Sequence, residues 1–140
     1  MTELNRPSRS PSEAETLQAA ANIVEAFSRN DTAGYFAGFA HDASFVFHPE
    51  PRRLNSRSEY EELWESWTSA GWRVVECLSS DQLAQVFPGG AVFSHTVQTT
   101  TETDGNRESY TERETIVFRV AGDQLLAIHE HLSLPSAPAT

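Results

Sequence analysis

The sequence predicts an α+β fold in which helices gather early in the chain and a strongly curved antiparallel sheet forms late. Three observations lead there. Capping boxes open helical stretches before residue 72, tight-turn dipeptides separate β-rich runs after it, and no regular alternation of strand and helix occurs. At 140 residues the chain has the usual size of one domain and can bury a core without metal or disulfide staples.

Residues 1–11 and 135–140 are rich in Ser, Pro and Thr and poor in apolar side chains, so they are expected to be disordered tails around a domain spanning 12–134. Ser12 followed by Glu15 is a capping box, and Leu17, Ala20, Val24 and Phe27 recur at helical spacing down to Asn30. Asp31 can cap a shorter second helix that gathers Tyr35, Phe36 and Phe39. Residues 43–48 are rich in β-formers and closed by Pro49 and Pro51, which predicts a strand with His48 at its rim. Ser56 and Glu59 repeat the capping box, and Tyr60, Leu63, Trp64 and Trp67 line one face of a third helix that Gly71 ends.

From Trp72 onward, β-rich runs cover 72–78, 82–87, 91–103, 107–120 and 124–134. Pro88-Gly89-Gly90, Asp104-Gly105 and Gly122-Asp123 supply turn chemistry between them. Strands joined so tightly make an antiparallel meander, and the aromatic stripes of the three helices need one face of it for burial.

Charge and composition exclude several functions. Twenty acidic residues against ten basic give a formal charge of −10, which repels phosphate backbones and anionic membrane surfaces, so neither nucleic acid nor membrane is an expected partner. Cys77 is the single cysteine and permits no intramolecular disulfide, and the N-terminal MTELNRPSRSP lacks the apolar run of a secretory signal, so a cytoplasmic location is expected. His41, His48, His95, His129 and His131 show no helical His/His or Cys/His ligand spacing. His129 and His131 share a strand face but lack an evident third ligand, so no metal and no cofactor are expected. No serine has the nucleophile-elbow context, and the glycine pairs read as turns.

The candidate site residues follow from strand parity. His131 and Ser133 share a face of the last strand with His129, opposite Leu126, Ile128 and Leu132. His131 is then either a pocket acid/base or a hydrogen-bonded strand residue at a dimer surface. His95 lies between Phe93 and Val97 on one face and is either a pocket histidine or a satisfied core histidine. Arg113 either meets an anionic ligand or pairs with Glu112, Glu114 or Glu130. On that strand Arg113, Thr115 and Val117 form one face and Glu112, Glu114, Ile116 and Phe118 the other, and either could be concave. His131, His95 and Arg113 are therefore the catalytic candidates; Trp64, Trp67, Tyr35, Phe36, His48 and Ser133 are the ligand-binding ones.

The element order, and the match of Arg113, Thr115 and Val117, then His129, His131 and Ser133, to an R-x-T-x-V and H-x-H-x-S ending, resembles the nuclear transport factor 2-like superfamily. The similarity is greatest to its SnoaL-like members and covers roughly 12–134. Leu125 stands where that family often has a tryptophan. The resemblance implies a cone whose curved sheet wraps three helices around a deep pocket for a small organic ligand, anionic or aromatic. It also implies a homodimer through the sheet. The activities it implies are those of a cofactor-independent isomerase, cyclase or dehydratase using His/Arg acid–base chemistry, or else a non-catalytic binding or assembly domain.

Overall fold

The computed structural model describes residues 9–135. Its first helix, α1 (Glu13–Ser28), starts where the Ser12 hydroxyl accepts the Glu15 N–H at 3.0 Å. The buried stripe of α1 is Thr16, Ala20, Ile23 and Ala26, whereas Leu17 is 36% exposed. The stripe is thus rotated from the one expected, because small residues allow the closer approach. A Cβ placed on Gly38 would lie 2.8 Å from Ile23 Cγ1, so only glycine fits beneath this helix.

Asn30 follows with φ of 57°, and its side chain bonds both ways to the Val74 backbone at 2.8 Å. This amide ties the end of α1 to the sheet. Asp31 caps α2 (Thr32–Ala37), accepting from the Gly34 N–H at 3.1 Å. The strand β1 (Phe39–Phe47) begins earlier than residue 43, since Phe39 and Ala40 are already buried in the sheet. The helix α3 (Arg57–Ser69) starts at Ser56 as the capping box requires, and the chain turns at Gly71 with φ of 95°.

Four strands follow: β2 (Trp72–Phe87), β3 (Gly90–Thr103), β4 (Asn106–Ala121) and β5 (Gln124–Ser133). They form one five-stranded sheet in the order β1-β5-β4-β3-β2, antiparallel except that β1 runs parallel to β5. The runs 72–78 and 82–87 are a single strand. A register shift between Ser80 and Leu83, with Asp81 at φ of 52°, lets the strand bend without ending. Asp104 and Gly105, at φ of 51° and 83°, form the two-residue turn between β3 and β4.

The curved, unclosed sheet and the helices against its inner face make the α+β cone that the sequence predicts. Aromatic rings fill the closed part of the cone. Phe39, Phe45, Tyr60 and Trp64 pack there with Phe93, Ile116 and Phe118 from the sheet, each such side chain contributing roughly 1.5–3 kcal/mol by leaving water. The Trp64 indole, 2% exposed, donates to Thr32 Oγ1 at 3.0 Å, so its polar edge is satisfied. No helix among the described residues is long and apolar enough to cross a membrane.

Of the two expected tails, residues 1–8 and 136–140 lie outside the described residues. Arg9 is held to the fold: its carbonyl accepts the Gly89 N–H at 2.9 Å, its guanidinium pairs with Glu15, and Pro11 is buried.

Candidate functional site

The inner face of the sheet is set by β4, where Glu112, Ile116 and Phe118 are buried and Arg113 and Arg119 are exposed. Glu112 and Glu114 therefore point under the helices, and Arg113 points to the outer side. On β5 a register shift against Val117 and Phe118 leaves Ile128 unpaired. That bulge reverses the alternation partway along the strand: Leu125 and Ala127 face inward before it, Glu130 and Leu132 after it. His129, His131 and Ser133 consequently face outward.

Between the inner face and the helices lies a cavity of about 260 Å³. Ile23, Val24 and Phe27 of α1, Tyr35 of α2, and Tyr60 and Trp67 of α3 form the helix wall, with Trp72 at its edge. The sheet wall carries Glu112, Glu114, Glu130, Val97, Thr99 and Tyr110. Three carboxyl groups thus confront an aromatic wall.

Glu130 is 1% exposed, and among the described residues no side-chain or backbone donor reaches its Oε1. Burial drives its carboxyl well above the usual range, and the charge and hydrogen bond of Glu114 push it further. Two carboxyl groups in such contact cannot both ionise cheaply, so burial and contact together favour the protonated form of Glu130.

Glu114 is held from behind. His95, 4% exposed, lies 2.6 Å through Nε2 from Glu114 Oε1 and 2.5 Å through Nδ1 from Ser79 Oγ. Gln82 Nε2 donates to the same Ser79 oxygen at 2.8 Å. One proton arrangement satisfies the whole chain: the amide donates to the hydroxyl, the hydroxyl to Nδ1, and the Nε2–H to the carboxyl. It links the cavity carboxyls to the exposed edge at Gln82. There a shallow groove between α1 and β2, lined by Ser79, Gln82 and Leu78, opens on the other side.

Burial also raises the Glu112 carboxyl, and its contact with His48 Nε2 at 2.5 Å opposes that rise. Tyr35 and Tyr60 share a hydrogen bond of 2.8 Å, and burial followed by the Glu130 charge pushes both phenols well up. Tyr110 and Cys77 are each pushed up to about 12, chiefly by burial, so the thiol is no nucleophile. No cluster of ligand-type side chains among the described residues could hold a metal ion.

Against the sequence-based candidates, the structure brings Tyr35 and Trp67 to the cavity wall and places His95 directly behind Glu114. His48 reaches the cavity only through Glu112. Trp64 and Phe36 belong to the aromatic core and do not line the cavity. Arg113, His131 and Ser133 lie on the outer face, where Arg113 and His131 are exposed and pair across strands with Ser133 and Thr115. His129 packs there too, 2.8 Å through Nδ1 from Ser44 Oγ, and burial and His131 lower its pKa. Arg113 thus lies outside the cavity, and three carboxyls lie inside it. Glu130, Glu114 and Glu112 are the residues that sequence reasoning missed. The available signal was their alternation with Leu132, Ile116 and Phe118, since a carboxyl in step with core residues is carried inward.

The family model for the SnoaL-like domain matches residues 17–137. The chain belongs to the SnoaL-like family. Solved structures similar to this SnoaL-like chain include a nuclear transport factor 2-like protein from Cytophaga hutchinsonii, at 14% identity, a TM-score of 0.76, and coverage of 89% of this chain and 99% of that one. A candidate dehydratase of the same superfamily from Streptomyces avermitilis is 19% identical, with a TM-score of 0.76 over 89% and 97% of the chains. A ketosteroid isomerase-like protein from Erwinia carotovora atroseptica is 16% identical, with a TM-score of 0.73 over 89% and 97%. At these identities the similarity establishes the fold alone. No curated protein matches significantly.

Proposed function

We propose that this SnoaL-like domain is a cofactor-independent acid–base enzyme of the isomerase, cyclase or dehydratase class. Glu114 and Glu130 move the proton, and His95, Ser79 and Gln82 exchange it with solvent. One observation carries the reading: Glu130 is fully buried in the cavity lining and hydrogen-bonds a carboxyl held by a buried histidine. Burying two carboxyls against each other costs stability, and perturbed pairs of this kind cluster at sites that do chemistry. The paired carboxyls offer an acid and a base at the same pH, which proton removal at one atom and return at another requires. The aromatic wall excludes water from that exchange, and the cavity exceeds the roughly 150 Å³ that admits benzene.

The carboxyl pair replaces the His131/Arg113 chemistry expected from sequence, and His95 becomes a positioning residue behind Glu114. The test is exchange of α-hydrogens for deuterium in a small cyclic enone, followed by NMR in D2O. Exchange should be catalysed by the natural chain and fall roughly 10²–10⁴-fold in Glu130→Gln, the usual size of a general acid–base contribution. Equal exchange in both proteins would count against the reading.

The outer face supports a second proposal, that two copies pair through the sheet. Half-buried Val92, Val117 and Val46 there mingle with Ser94, Thr96 and Thr115, a mixture that a second copy can both bury and hydrogen-bond. Sedimentation should then give a dimer, and Val117→Arg should give a monomer.

A further inference from the structure

We propose that the cavity selects an organic cation, an amine with a compact aromatic or apolar body, over neutral and anionic molecules of the same shape. The inference deepens the reading of the same cavity and rests on it.

Three features point to a cation. Among the described residues, Glu50, Glu112, Glu114 and Glu130 contribute every ionisable side chain of the lining apart from Cys77 and the tyrosines, and no Arg or His lines the cavity. Among the described residues, the basic side chains in contact with the lining carboxyls are His48 and His95, which bond Glu112 and Glu114 and do not themselves line the cavity. An entering carboxylate would therefore meet carboxyl oxygens with no compensating donor. Second, His95 is the one donor that the Glu114–Glu130 carboxyl pair receives among the described residues, so an ammonium N–H brought into the cavity supplies a donor to a pair short of them. Third, the opposite wall is built of Phe27, Tyr35, Tyr60, Trp67 and Trp72, and aromatic rings attract cations through their negative faces. Acceptors on one wall and rings on the other complement the two ends of an arylalkyl amine.

The cation also bears on protonation. Tyr35 and Tyr60 from the helices, and Glu112, Glu114 and Tyr110 from β4, face Glu130 with neutral or negative groups, so no protein cation draws the proton off it. An ammonium beside the carboxyl pair would, so amine binding should release a proton.

The experiment uses benzylamine, benzyl alcohol and benzoate as probes on the natural chain, with affinities from calorimetry at neutral pH. Benzylamine should bind at least tenfold more tightly than benzyl alcohol and benzoate most weakly. Amine heats should differ between buffers of unlike ionisation enthalpy, as proton release requires. In Glu114→Gln/Glu130→Gln the amine's advantage should fall to threefold or less with the alcohol's affinity retained. Benzyl alcohol binding as tightly as benzylamine, or benzoate binding best, overturns the cation selectivity and leaves the acid–base proposal standing. Failure of all three probes to bind overturns the inference as well, and the probe comparison on the natural chain decides even if the double variant does not fold.

Discussion

Replacing Glu130 by glutamine tests the energetics of the buried carboxyl. Burial and Glu114 raise the pKa of Glu130 in the folded chain, whereas the unfolded chain offers an ordinary glutamate near 4.3. Between those two values the folded state holds a proton that the unfolded state has released. The contribution of this group is therefore complete below about pH 4.3 and is lost as pH rises towards the folded pKa, at about 1.4 kcal/mol for each pH unit. Glutamine keeps the shape and the polar ends but has no charge to bury, so Glu130→Gln abolishes the slope. Urea unfolding at intervals from pH 4.5 to 8, with both proteins, gives the difference directly. The variant should gain on the natural chain by about 1.4 kcal/mol per unit over the interval, then hold a constant lead. Parallel stability curves would refute the reasoning, because they would mean that Glu130 ionises alike in both states.

The other predictions concern the surroundings of the site. His48→Ala removes the donor that opposes desolvation of Glu112, so the Glu112 carboxyl should titrate still higher in a carbon-13 titration of its side chain. Asn30→Ala deletes both bonds to the Val74 backbone and leaves alanine at positive φ, a loss of roughly 2–3 kcal/mol by urea unfolding, of which Asn30→Gly should recover the conformational part. Arg113→Ala, on the exposed outer face, should change stability by no more than about 0.5 kcal/mol and leave benzylamine affinity unaltered in calorimetry.

Much of the fold was legible because its local signals agree with one another. Ser12, Asp31 and Ser56 each cap the helix that their spacing announces, and Asp104-Gly105 makes the turn that its residues demand. What failed were features set by tertiary contact. The parallel pairing of β1 with β5 has no local signature, and neither does the bend at Asp81 that keeps β2 continuous. The bulge at Ile128 breaks strict alternation on β5 and puts apolar Leu126 on the outer face with His129 and His131, but Glu130 stays in step with Leu132, as simple parity already had it. On β4, which has no bulge before Phe118, strand parity had already put Glu112 and Glu114 with Ile116 and Phe118. The inward face could have been chosen by asking which set ends in large apolar side chains. Histidines drew attention because their ordinary pKa lies near neutrality; here burial raises a carboxyl well above its ordinary range, and only the fold could show it.

The most direct measurement is the ionisation of Glu130 itself, followed by the carbon-13 shift of its side-chain carboxyl in glutamate-labelled protein and assigned by the Glu130→Gln spectrum. The account predicts a carboxyl still protonated at pH values where the surface glutamates have long ionised. A Glu130 signal that titrates along with them, near pH 4.3, would contradict it.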